Sequence, residues 1–159
     1  SSEDLLTLEF QSKSHDKTMK FDVKLMDIDD EELSVPEKDY DFNIEMSSSE
    51  FCRIIRNLSN LGDICTIQIS KNSLDFSVDG EIGEATIKVN NIQVKNAKEA
   101  ALKLTFAMRY LKLFTNASSL CNKVKLGMSS ESPLMIQFEL EENIGKIMYY
   151  LAPKMDESD

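Results

Sequence analysis

Nine stretches of this chain alternate apolar and polar residues: LLTLEF, TMKFDVKLM, DFNIEM, CTIQIS, LDFSV, ATIKV, KVKLGM, LMIQFEL and KIMYYL. A strand sends successive side chains to opposite faces, so this period of two marks half-buried antiparallel strands. Short polar turns, KNS at 71–73 and ENIG at 142–145, join several of them into hairpins.

Only two segments carry a helical period. In the first, Ser47 and Glu50 form an S-x-x-E capping box, and Phe51, Ile54, Ile55 and Leu58 follow at i, i+3, i+4 and i+7. Gly62 is expected to terminate that helix. In the second, Ala107, Tyr110, Leu111 and Phe114 repeat the spacing. Two helices among so many strands predict an α+β fold, antiparallel sheets with both helices on one face.

The polar sides of the helices matter because of the overall charge. With 28 acidic and 18 basic residues the chain carries −10, which by itself argues against nucleic acid and for a self-repelling surface. Yet residues 51–62 and 106–118 contain no Asp or Glu, while they hold Arg53, Arg56, Arg109 and Lys112 beside Asn57, Asn60 and Asn116. A solvated helix face is the plain reading of such basic residues. The sharper one is a surface that meets DNA phosphates without reading bases.

Little in the sequence supports catalysis. His15 is the sole histidine, and there is no glycine-rich phosphate loop, no ligand-spaced Cys or His set and no nucleophile–base pairing. The carboxylates of 27–32 fall in an irregular stretch, not a plausible cleft. No enzyme, metal or cofactor is therefore expected. Cys52, Cys65 and Cys121 read as reduced, half-buried thiols of an intracellular protein. No stretch approaches the ~18–20 apolar residues of a membrane span, and Ser1 opens no signal-peptide pattern.

The ends of the chain resemble each other. LTLEFQSKSHDKTMKFDVKLMDIDDEE and LMIQFELEENIGKIMYYLAPKMDESD each run strand, turn, strand with an aromatic, then Leu, Met and acids. Such self-similarity suggests duplicated domains. The chain is expected to hold the last hairpin of one domain at 1–26, an extended connector at 27–40, and a complete domain with its tail at 41–159. The connector is acidic and has no sustained period, but Ile28, Leu33, Val35 and Pro36 make it too apolar for a mere solvated linker.

KLMDIDDEELSVPEKDY, SSSEFCRIIRNLSNLGD, LTFAMRYLKLFT and the terminal YYLAPKMD together resemble the eukaryotic sliding-clamp family, proliferating cell nuclear antigen. The resemblance implies two similar domains per subunit, closed head to tail into a homotrimeric ring around duplex DNA in the nucleus. It implies a processivity factor for DNA polymerase, loaded by a clamp loader and serving replication and repair proteins. Those partners carry a Q-x-x-[ILM]-x-x-aromatic-aromatic motif whose short helical plug enters a hydrophobic pocket. The matching positions are Ile28, Leu33, Val35 and Pro36 on the connector, Pro133, and Tyr150, Ala152, Pro153 and Met155 in the tail, with Ala107 at the motif's glutamine. Arg53, Arg56, Arg109 and Lys112 would face the DNA. Ring closure would use the strand edges at 18–25 and 84–89, with Phe21 and Ile87 as interface residues. Lys71 matches a lysine modified by ubiquitin or a related protein. Asn116 departs from a position commonly basic in the family, and the loop in ATIKVNNIQVKN is shorter than usual. A specialised or checkpoint clamp-like adaptor, keeping the pocket without acting as the replicative ring, is the alternative.

Overall fold

The computed structural model describes residues 5–11, 18–24, 39–90, 92, 94–95, 97–140 and 145–154. The chain divides into two units, Ser1–Lys38 and Asp39–Asp159. In the first, β1 (Leu5–Gln11) and β2 (Thr18–Lys24) form an antiparallel pair with Leu8 opposite Phe21.

The second unit runs β3 (Phe42–Ser47), α1 (Ser48–Ser59), β4 (Ile64–Ser70), β5 (Ser73–Gly80), β6 (Gly83–Asn90), β7 (Val94–Lys95), β8 (Ala101–Ala107) and α2 (Met108–Phe114). A 3-10 segment at Thr115–Leu120 then leads to β9 (Cys121–Met128), β10 (Leu134–Leu140) and β11 (Lys146–Leu151). These strands make two antiparallel sheets, a five-stranded one ordered β11-β10-β9-β3-β7 and a four-stranded one ordered β6-β5-β4-β8. The expected α+β architecture is therefore the observed one.

Alternation sorts each strand into an inner and an outer face. Ile67 and Ile69 of β4, Leu74 and Phe76 of β5, Leu126 of β9 and Phe138 of β10 are fully buried. Phe51, on α1, joins the two sheets: its ring meets Phe76 edge-on at 6.2 Å and Phe138 at 6.5 Å. One core thus holds both sheets and both helices.

Helix α1 starts where the capping pattern expects it, with Ser47 Oγ accepting from the Glu50 N–H at 3.4 Å. It ends differently. The C-cap is Asn60 in right-handed conformation, so Gly62 is not a left-handed cap. Gly62 is needed for space, because a Cβ there would lie 2.5 Å from Val78 Cγ1 on β5. A Cβ on Gly80 would stand only 1.7 Å from the Leu61 carbonyl oxygen. Glycines let the α1–β4 connection lie directly on the β5–β6 hairpin.

Among the described residues there are eleven strands, two more than the alternation suggests. β7 is two residues long, too short to show a period. β8 hides because its inner residues Leu102, Leu104 and Phe106 run in phase into Met108 of the next helix. Consequently the second helix buries Met108, Leu111 and Phe114, whereas Ala107 is its extended N-cap and Tyr110 is exposed. The three cysteines are not half-buried but buried, and none is in a disulfide. Burial pushes the Cys65 thiol up to about 12.

Candidate functional site: a basic helix face and an apolar strand end

Helices α1 and α2 pack against each other. Their buried stripes face the core, so the other residues of each helix must face solvent. Arg53, Arg56, Asn57 and Asn60 are exposed on α1, as are Arg109, Lys112 and Asn116 on and after α2. The ion pairs among the described residues are Lys98–Asp39, Lys123–Glu45 and Lys125–Glu139, none of which uses the four helix cations. Arg109 instead donates from Nη2 to the Tyr110 hydroxyl at 3.1 Å, with its guanidinium carbon 4.7 Å from that ring's centroid. The structure thus brings these four residues onto one helical surface on which Glu50, in the first turn of α1, is the acid within the two helices.

The second feature lies at one end of the outer face of the five-stranded sheet. Consecutive tyrosines on β11 part company there. Tyr149 points inward and stacks on Phe114 at 4.3 Å, while Tyr150 points outward and stays 39% exposed. Tyr150 is the Cα partner of Met135, and Leu151 of Leu134. Continuing that register by one residue sets Pro133 opposite Ala152. Beyond β11 the tail runs beside β8, where the Lys154 N–H donates to the Thr105 carbonyl at 2.7 Å. This contact carries Ala152 and Pro153 toward Ala107, which ends the same strand. Pro133, Tyr150 and Ala152 are exposed, and Ala107 and Pro153 are half-buried. Ile28, Leu33, Val35, Pro36 and Met155 lie outside the described residues.

Tyr40 was not singled out in the sequence, yet it belongs to this end of the sheet. Its ring lies so close over Gly127 that a Cβ there would sit 2.6 Å from Tyr40 Cδ2 and 3.0 Å from Met135 Cε. Burial, and secondarily the charge of a neighbouring Tyr150 phenolate, raise the Tyr40 phenol above the usual tyrosine value. The sequence signal was misleading: Tyr40 is in phase with the inward Phe42, but it precedes the strand and turns over the outer face. Its backbone is held there by the Asp41 N–H donating to Ser129 Oγ at 2.9 Å and by Asn43 Nδ2 donating to the Tyr40 carbonyl at 3.1 Å.

The other sequence candidates lie elsewhere. Lys71 is exposed in the turn between β4 and β5. Ile87 sits on β6, the edge of the four-stranded sheet, but its side chain is half-buried against the core. Phe21 occupies the middle of β2. Among the described residues no three His, Cys, Asp or Glu side chains form a metal-binding group. No helix among them is long and apolar enough to cross a membrane.

Antiparallel sheets backed by two helices define an α+β sliding-clamp fold. The family described as proliferating cell nuclear antigen, C-terminal domain, matches residues 34–154, and the chain belongs to that family. It is a family of DNA-replication clamps rather than of enzymes.

Proposed function

We propose that this chain is part of a ring-forming DNA sliding clamp, a nuclear processivity factor that holds DNA polymerase on duplex DNA. The observation carrying this reading is the collection of Arg53, Arg56, Arg109 and Lys112 on two paired helices whose residues 51–62 and 106–118 hold no Asp or Glu, in a chain with net charge −10. Such a surface attracts phosphates of any sequence, while the surrounding negative charge discourages adhesion elsewhere. Weak, sequence-blind contacts suit sliding. The test is polymerase processivity with the assembled ring carrying Arg53→Glu and Arg109→Glu. Product tracts should shorten severalfold; unchanged tracts would overturn the reading.

The apolar end of the sheet serves as the partner-docking groove in the same proposal. Tyr150, Ala152, Pro153 and Pro133, joined by Tyr40 and by connector residues Ile28, Leu33, Val35 and Pro36, receive the aromatic plug of a Q-x-x-[ILM]-x-x-aromatic-aromatic partner. Met155 extends the apolar tail, and Ala107 lies by the glutamine. At about 25 cal/mol per Å2 of apolar area, two buried aromatics supply several kcal/mol before ordering costs. A labelled Q-x-x-L-x-x-F-F peptide should bind saturably, and lose binding when both phenylalanines or Tyr150 are replaced by alanine. Binding indifferent to these changes counts against the groove.

The remaining assignments follow from the same reading. Edge strands carrying Phe21 and Ile87 would pair between subunits to close a homotrimer, since unpaired strand edges are ready templates for pairing. A clamp loader would open that ring. Lys71 is the candidate acceptor for a ubiquitin-type modification, checked by conjugation assays with Lys71→Arg.

A further inference from the structure

The large side chains on the outer face of the four-stranded sheet are polar except at one corner. There β4 begins with Ile64, the large apolar side chain left 43% exposed. A single exposed isoleucine is ordinary on a protein surface. Its position is not, because Ile64 is the direct Cα partner of Ala107 on β8, and antiparallel partners project to the same face. Next to β8 on its other side runs the tail, tied by the Lys154 N–H to the Thr105 carbonyl. Across this corner the order is therefore tail, Ala107, Ile64.

Acidic residues continue that line. Asp63 precedes Ile64, and the next two strands bring Asp79 and Glu84, which are Cα partners of each other. All three are exposed, and none enters an ion pair among the described residues. A partner segment crossing the corner would first meet an apolar side chain and then a negative edge.

We propose that Ile64 forms a subsite continuing the docking groove past Ala107, and that it takes an apolar residue placed one or two positions before the partner's glutamine. This rests on the groove reading above. With the aromatic plug near Tyr150 and the glutamine near Ala107, the preceding residues leave away from Tyr150, toward β4. Neighbouring strands are about 4.8 Å apart and an extended residue advances about 3.3 Å, which sets the distance of one or two residues. A basic residue ahead of the apolar one complements Asp79 and Glu84.

The test uses the full 159-residue chain and labelled Q-x-x-L-x-x-F-F peptides, either bare or extended by Lys and two further residues before the glutamine. Those two residues are Ser-Ser, Leu-Ser or Ser-Leu. One leucine peptide should bind about 3–10-fold more tightly than the serine peptide, a gain fitting one partly buried aliphatic side chain. In Ile64→Thr, which keeps the β-branch and should leave the thermal midpoint unchanged, that preference should shrink below about twofold. Equal affinity for all three extensions, or a leucine preference that survives Ile64→Thr, would overturn the subsite while leaving the groove intact. Absence of saturable binding by the bare peptide would overturn both.

Discussion

The helix face with Arg53 and Arg109 and the strand end with Tyr150 lie on opposite sides of the five-stranded sheet, and they expose different chemistry. On the helices, the 3.6-residue period turns every apolar residue of α1 inward, so that after Glu50 in the first turn the charged residues left on its outer side are Arg53 and Arg56. On the sheet, the period of two turns Tyr149 into the core and Tyr150 out. The helix face is decided by the sequence of each helix alone. The strand end needs β3, β9, β10, β11 and the tail in register before Tyr40, Met135, Tyr150 and Pro133 come together. One side is therefore a local product and the other a product of long-range pairing, so they should fail under different perturbations.

The largest effect should come from the core they share. Phe51→Ala removes the ring between Phe76 and Phe138 and should cost about 3–5 kcal/mol, measured by urea unfolding. Both surfaces should be lost together as the unfolded fraction grows. Separate loss at different urea concentrations would show that the two sheets unfold independently.

Alkaline pH attacks the same core through its buried acids. The Cys65 thiol stands at about 12 in the folded chain against 9.0 as the ordinary value. Below pH 9 it is protonated in both states, so stability is full there. As pH rises from 9 toward 12 the unfolded chain releases this proton first, and stability falls. Burial raises Tyr40 and Tyr149 in the same direction from 10.0. Urea midpoints at pH 8 and 10.5 should therefore differ in favour of pH 8, and Cys65→Ala should flatten the early part of the fall.

Gly127→Ala sharpens the contrast between the faces. The added methyl must displace Tyr40 or Met135, at a cost of about 1–3 kcal/mol. Binding of the motif peptide should weaken severalfold, while affinity of the assembled ring for DNA stays as it was. Reversing Arg53 and Arg109 should do the opposite: each lost phosphate contact should lower the salt slope of DNA binding by about 1, with peptide affinity preserved. If either change moved both readouts in chains that remain folded, the two surfaces would be coupled rather than independent.

The smallest effect belongs to the outer-face ion pair Lys125–Glu139, at 2.6 Å. Their contact, a charge-assisted hydrogen bond above all, raises Lys125 and lowers Glu139 from their ordinary values. Both side chains are more than two-fifths exposed, so Lys125→Ala should change stability by no more than about 1 kcal/mol.

The alternating runs, the capped α1 and the basic helix faces could be read directly, because each depends on neighbours within one strand or helix. The α+β class follows from counting them. Other features could not be read this way. β8 was masked because Leu102, Leu104 and Phe106 continue smoothly into helix α2. Gly62 looked like a helix stop, whereas its need for space comes from Val78, sixteen residues further on by the numbering.

The order of residues along each element settles which of its faces is apolar and where positive charge collects, since side-chain direction repeats with a fixed local period. It takes the packed chain to bring Tyr40 over to the outer face, to make Gly127 the space for it, and to stand Ile64 beside Ala107. Those placements depend on strand register and on contacts between residues far apart in the chain, and no local period encodes them.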